Sequence, residues 1–172
     1  TPPRVAANSV DLSGAVEQKS DSEARNFHHA HSCNQRFLSQ VSCYKLETNS
    51  KTLGVIRDNK EKSPLFNGQI QGIGPRYCPS IEDKAYRYPD KDRHNVFLEP
   101  EGLNVGTYYP NGLSTSLPKG IQESFINSIN GLGVSKIAEY GYAVEYDVID
   151  TTQLKATLEH KIVPSLYFAG QI

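Results

Sequence analysis

The sequence has no methionine, no tryptophan, only three cysteines, no excess of either charge, and no long apolar run. A membrane-spanning helix needs about 20 consecutive apolar residues, so no such helix is expected. The opening Thr-Pro-Pro-Arg has no signal-peptide pattern. Cys33, Cys43 and Cys78 are odd in number and too few to staple a chain of 172 residues. A reducing compartment, the cytoplasm, is the expectation. With 18 Lys+Arg against 19 Asp+Glu the formal net charge is -1, so any nucleic-acid surface has to be local. Internal repeats, heptads and low-complexity tracts are absent as well, which excludes solenoids and coiled coils. The missing methionine, the start at Thr1 and the stop in the apolar stretch Leu166 to Ile172 read as cuts through a longer protein.

What is present suits one folded domain. Apolar residues make up 37% and charged residues 22%, a globular balance that is neither disordered nor membrane-embedded. A chain this long buries roughly two thirds of the surface it exposes when unfolded. From Thr1 to about Gln35 the sequence is polar and aperiodic, which predicts loop structure. Val41 to Leu46 alternates as a half-buried strand does, and Leu53 to Lys60 has helical spacing. Gly68 to Pro79, rich in glycine and proline, predicts irregular backbone. His94 to Leu98 reads as a strand, and Pro118-Lys119-Gly120 opens a helix with Ile121, Phe125, Ile126 and Ile129 on one face. A strand over Tyr142 to Val148, a short helix over Gln153 to His160, and a buried strand over Leu166 to Ala169 complete the expectation. The fold class is therefore α/β in the mixed α+β sense, a mixed sheet with flanking helices.

Several clusters carry possible chemistry. His28, His29, His31, Cys33 and Cys43 offer metal donors, but no pair stands at zinc-site spacing, and no metal is assigned. Gly72-Ile73-Gly74 starts like a dinucleotide fingerprint, yet Tyr77 replaces the third glycine and no helix is expected through Cys78-Pro79. Arg76 and the loop amides suit a phosphate all the same, with a plain turn as the commoner outcome. A cation beside Cys78 would raise its thiolate fraction, although on spacing alone burial as a small apolar residue outweighs catalysis. Arg87, Lys91, Arg93 and His94, interleaved with Tyr86 and Tyr88, suit an RNA backbone and an unpaired base, but Asp90 and Asp92 favour a solvated face. Glu99-Pro100-Glu101 offers general bases or a rigid acidic turn, and Asn111 to Ser116 an anion-binding hydroxyl loop or an ordinary turn.

Longer strings are more specific. Gly72-Ile73-Gly74-Pro75-Arg76-Tyr77-Cys78-Pro79-Ser80-Ile81-Glu82-Asp83-Lys84, Phe97-Leu98-Glu99-Pro100-Glu101-Gly102 after His94, and Asn111 to Pro118 closely resemble the glucose-inhibited division protein A family of tRNA uridine 5-carboxymethylaminomethyl modification enzymes. Gly141 to Asp147, Phe168-Ala169-Gly170-Gln171-Ile172 and Thr1-Pro2-Pro3-Arg4 match too.

The resemblance implies a homodimeric flavoprotein that binds FAD and NADH. With a GTPase partner it adds an aminomethyl or carboxymethylaminomethyl group to C5 of the wobble uridine of tRNA, methylenetetrahydrofolate supplying the carbon. No membrane association is implied. It assigns to NAD binding Gly74, Pro75, Arg76, Tyr77, Cys78, Pro79, Ser80, Ile81, Glu82, Asp83, Lys84, Ala85, Tyr86, Arg87 and Tyr88, and to FAD Gln171. It also raises Cys78 to a catalytic thiol. The family's N-terminal Rossmann glycines, its other functional cysteine and its GTPase-binding region do not occur in these residues. The resemblance thus implies a single inserted domain of a larger FAD-dependent flavoprotein, inactive alone. Residues 1–40 would leave the FAD-binding domain, 41–165 form the inserted NAD/substrate-side domain, and 166–172 return. A non-catalytic dimerisation or scaffold module and a folate-dependent tRNA uracil methyltransferase are the alternatives, and Arg76-Tyr77-Cys78-Pro79-Ser80 disfavours the second.

Overall fold

A computed structural model describes residues 1–22, 38–71, 79–145 and 147–170. They divide into two units, one taking the described residues up to 71 and from 79 to 143, the other those from 144 to 170.

The first unit is built on a six-stranded sheet. Its strands are β1 (Arg4–Ala6), β2 (Val16–Gln18), β3 (Cys43–Glu47), β4 (Asn95–Pro100), β5 (Thr107–Asn111) and β6 (Ile137–Glu139). They lie in the order β2-β3-β4-β5-β1-β6. The expected strands at 41–46 and 94–98 are β3 and β4, paired with Leu46 opposite Val96 and Tyr44 opposite Leu98. All these pairings are antiparallel, which corrects the expectation of a mixed sheet. Glu47 at the end of β3 stands opposite Asn95 at the start of β4, so the chain re-enters the sheet at the end where it left, with α1 and α2 in between. Pro110 is tolerated within β5 because β1 pairs that strand only at Thr107 and Tyr108, leaving no ladder bond there for proline to break.

Three helices supply the second layer, α1 (Ser50–Arg57), α2 (Ile81–Arg87) and α3 (Lys119–Ile126). α1 packs against both of the others. The expected helices at 53–60 and from 118 are α1 and α3; α3 starts where expected, after Pro118, and α1 is shifted by its cap. Asn49 begins α1 three residues early, its Oδ1 accepting from the Thr52 amide at 2.9 Å. Its Nδ2 donates to the Ser128 carbonyl at 2.7 Å, which fastens the cap to the turn after α3. Leu53, Ile56, Phe125, Ile126, Ile129 and Leu132 meet Val5, Leu46, Val96 and Leu98 in one core. Each of these larger side chains contributes roughly 1.5–3 kcal/mol when fully buried.

Within 1–35 the loop expectation is corrected at β1 and β2. Val5 is fully buried on β1, which lies between β5 and the edge strand β6. Three residues are too few to show a period, so nothing local announced it. β5 is not anticipated either, since its two tyrosines are followed by a proline that argues against a strand.

The second unit contradicts three expectations. No strand forms among the described residues of 142–148. In place of a helix over 153–160 there is a 3-10 turn, Thr151–Gln153, and a bridge between Leu154 and His160. The amide of Lys155 donates to the Glu159 carbonyl, the reverse of helical direction, and Leu158 at φ 64° closes the turn. Leu166 to Ala169 is no buried strand. Tyr167 makes one isolated bridge to Glu159 and is 61% exposed, because the described residues of this unit form no second layer to cover it.

Candidate functional site

Ser80 holds an extended conformation, and its Oγ accepts from the Asp83 amide at 3.1 Å, starting α2 directly after Pro79. Glycine and proline upstream hid this helix, although Ser80-x-x-Asp83 is a capping signal. Glu82 and Asp83 lie in its first turn and Arg87 in its last, the arrangement a helix dipole favours. Asp83 and Arg87 pair at 2.9 Å on the surface.

Glu82 points the other way. It is 1% exposed, and its Oε1 accepts from Thr115 Oγ1 at 3.0 Å, the Ser116 amide at 2.9 Å and Ser116 Oγ at 3.4 Å. Its Oε2 is buried without a hydrogen-bond partner. The Ile81 amide donates to the Ser114 carbonyl at 2.7 Å, and Lys84 Nζ to the Gly112 carbonyl at 2.9 Å. The segment Asn111 to Ser116, read from sequence as an anion loop or a plain turn, therefore receives α2. Gly112 takes φ +103° there, and a Cβ would come within 2.7 Å of the Asn95 carbonyl. Only glycine fits this crossing without a shift.

The cations around α2 are engaged by the fold. Arg57 Nε donates to the Ala85 carbonyl at 3.2 Å and its Nη2 to the Pro89 carbonyl at 3.0 Å. Tyr86 OH donates to the Arg57 carbonyl at 2.7 Å, and Lys60 sits 4.6 Å over the Tyr86 ring. Lys91 lies 5.0 Å over Tyr88, while Arg93 pairs with Glu47 and Asp92. His94 donates its amide to Thr48 Oγ1, and burial, followed by Lys84, Lys91 and Arg57, holds its imidazole pKa below the ordinary value. Arg87 and Arg93 on this face are each paired with an acid.

On the sheet, Glu99 accepts from Asn111 at 2.9 Å. Glu101 accepts from Thr107 and Arg4, and the Thr107 hydrogen bond, ahead of Arg4, keeps its carboxyl below the ordinary value. Both candidate bases thus brace the sheet. Cys43 is half-buried on β3, and burial, then Glu99, pushes its thiol up, away from thiolate chemistry. A cleft of about 740 Å³ beside the start of α1 is lined in part by Asp11, Lys45, Glu47 and Arg93, but Glu47 pairs with both cations. Among the described residues no group of three or more His, Cys, Asp or Glu is placed to hold a metal ion.

Of the residues that the resemblance singles out, Gly74, Pro75, Arg76, Tyr77, Cys78 and Gln171 lie outside the described residues, as do His28, His29, His31 and Cys33. Pro79 to Tyr88 are described. Ile81, Glu82 and Ala85 face the core, Ser80 caps, Lys84 and Tyr86 bind backbone carbonyls, and Arg87 pairs with Asp83. In this half of the segment Ser80, Glu82, Lys84 and Tyr86 are engaged within the fold, while Arg87 and Tyr88 remain exposed. Sequence reasoning missed that role of Glu82, and a buried carboxylate leaves no periodic signal at all.

Comparison with known proteins covers the whole chain. Residues 1–172 match the family described as Glucose inhibited division protein A. The chain is 49% identical over 172 residues to the tRNA uridine 5-carboxymethylaminomethyl modification enzyme MnmG of Mycoplasma mobile, spanning 28% of that protein's length. It resembles the solved structure of Aquifex aeolicus GidA in the form I crystal with a TM-score of 0.83 and 41% identity, over 97% of this chain and 29% of that one. The form II crystal gives a TM-score of 0.80 and 38% identity, over 99% and 27%.

Proposed function

This chain belongs to the glucose inhibited division protein A family, and from that premise we propose that it is a central piece of a FAD- and NADH-dependent enzyme that modifies C5 of the wobble uridine in tRNA. The observation that carries this reading is the 49% identity, across all 172 residues, to a protein named for that modification. The whole enzyme works with a GTPase partner as a homodimer in the cytoplasm, and methylenetetrahydrofolate supplies the carbon. Residues 41–165 serve as the inserted domain on the NAD and substrate side, with 1–40 leaving and 166–172 returning to the FAD-binding domain. Among the described residues no helix is long and apolar enough to cross a membrane, which is compatible with that setting.

Within this reading Gly74 to Tyr88 takes the nicotinamide cofactor, Gln171 contributes to the flavin site, and Cys78 faces the target uridine. When bound, the nicotinamide supplies hydride to the flavin. The described half of the segment fits as support, with Lys84 and Tyr86 holding backbone carbonyls and Arg87 paired with Asp83 on the surface. No described residue is assigned to FAD, and no step is routed through it. Cys78 activates uracil either by adding to C6, which makes C5 enolate-like, or by moving a proton.

The test is Cys78→Ser in the full-length parent. Wobble-uridine modification, read by mass spectrometry of tRNA digests, should disappear while FAD content and tRNA affinity persist. Modification at the wild-type rate would return Cys78 to a structural role. The chain alone should purify colourless and inactive; a yellow protein with stoichiometric FAD would refute the fragment reading.

A further inference from the structure

Two kinds of restraint hold the cations beside α2. Arg87 and Arg93 face carboxylates, which cancel their charge towards anything farther away. Arg57, Lys60 and Lys91 enter none of the ion pairs formed among the described residues and are held by neutral groups instead. Arg57 donates to the carbonyls of Ala85, Pro89 and Lys91. Lys60 lies 5.2 Å over the Phe66 ring and 4.6 Å over Tyr86, and Lys91 lies 5.0 Å over Tyr88. A ring face or a carbonyl orients a cation without bringing a net negative charge, so these three keep their charge for an incoming anion.

The three form one knot. Tyr86 carries Lys60 on its ring and donates its hydroxyl to the Arg57 carbonyl at 2.7 Å. The Arg57 guanidinium in turn binds the turn that holds Tyr88 and Lys91, which the Lys91 amide closes on the Tyr88 carbonyl at 3.1 Å. Lys60 and Lys91 are exposed, and Tyr88 is 49% exposed. The field of the knot reaches its neighbour: after burial, Lys84, Lys91 and Arg57 are what hold the His94 imidazole below its ordinary value. Asp58, Glu61 and Asp90 share these stretches but pair with none of the three. The cations come from the end of α1 and from the turn after α2, so no run of basic residues announces them.

We propose that this knot docks the phosphate backbone of RNA, with Lys60 and Lys91 on phosphates and the exposed part of the Tyr88 ring against a base. Charge complementarity selects a polyanion, and an exposed ring beside the cations suits a nucleic acid rather than a lipid headgroup. The inference rests on the proposed reading of the parent as a tRNA-modifying enzyme, which makes tRNA the RNA in question.

Binding of transcribed tRNA to the full-length parent, followed by filter retention across a salt series and beside thermal melts, tests this. Lys60→Met and Lys91→Met should each weaken binding about threefold at low salt, and together about tenfold. Each should also lower the slope of log affinity against log salt by about 1. Lys60→Arg should bind as wild type, and the melting temperature and NADH affinity of every variant should hold. Lys119→Met removes a lysine held 5.0 Å over the Tyr140 ring on α3; as the control for net charge, it should leave tRNA affinity near wild type. A double variant with wild-type affinity and slope overturns the proposal, as does a loss in Lys119→Met as large as in Lys60→Met. A fall in NADH affinity with tRNA affinity unchanged overturns it too, by giving the cations to the dinucleotide. Should the wild-type parent bind no tRNA, the tRNA reading itself fails, and this inference with it.

Discussion

The two units differ in how they hold their shape. The first buries fourteen hydrophobic side chains, whereas no described residue between 144 and 170 is buried. The second nevertheless has a defined hydrogen-bond lattice: His160 Nδ1 accepts from the amides of Ile162 and Val163, Glu159 from Ser165 and Lys155, and Asp150 from Thr152. Ile162 at 81% and Tyr167 at 61% exposure lie open beside that lattice. Hydrogen bonds exchanged against water contribute about 1 kcal/mol each, so a unit without a core has a specified local path and little cooperative stability.

Core truncation should separate the units most sharply. Phe125→Ala should cost about 3–5 kcal/mol in urea unfolding of this chain, and Ile162→Ser should fall within about 0.5 kcal/mol. Comparable losses at the two positions would mean that 144–170 has a core of its own. A smaller contrast is expected at the glycines. Gly112→Ala combines a left-handed φ with a collision against the Asn95 carbonyl, while Gly170, at φ +87°, has nothing within 4 Å of an added Cβ. Alanine should cost about 2 kcal/mol or more at 112 and about 1 kcal/mol at 170, from denaturation midpoints. Equal costs would remove the steric part of the account.

The smallest effect is one of pH. Burial holds the folded pKa of His94 below the ordinary value of 6.5, so around and below that pH the unfolded chain binds the proton more readily. Stability from this group is complete above pH 6.5, falls as the pH drops through that value, and stops falling below the depressed folded pKa. His94→Gln should flatten the fall, measured as urea midpoints between about pH 7 and 5. An unchanged slope would show that other groups control it.

The same contrast explains what the sequence disclosed. α1, α3, β3 and β4 were legible because each sets a periodic apolar face against a core. The expected helix over 153–160 and strand over 166–169 failed where apolar residues met no opposing layer. β1 was hidden by its brevity, and α2 by the Pro79 before it. Of the candidate site, the strings from Gly72 to Pro118 identified the segment, but no pattern revealed that Glu82 faces inward, since its partners Thr115 and Ser116 are remote in sequence.

Gln122 is almost fully buried with its amide saturated: Nε2 donates to the Leu117 and Gly141 carbonyls, and Oε1 accepts from the Gly141 amide. Tyr142 stands against Thr1, whose Oγ1 accepts from its amide at 3.4 Å. Two points 141 positions apart along the chain are thereby pinned side by side. Residues 1–142 can therefore be treated as a cassette with a single point of attachment. A short glycine linker closing 142 onto 1, with new ends opened in the exposed turn at 60–62, should give a circular permutant of unaltered sheet order, and grafting into a surface loop of an unrelated host should strain neither partner.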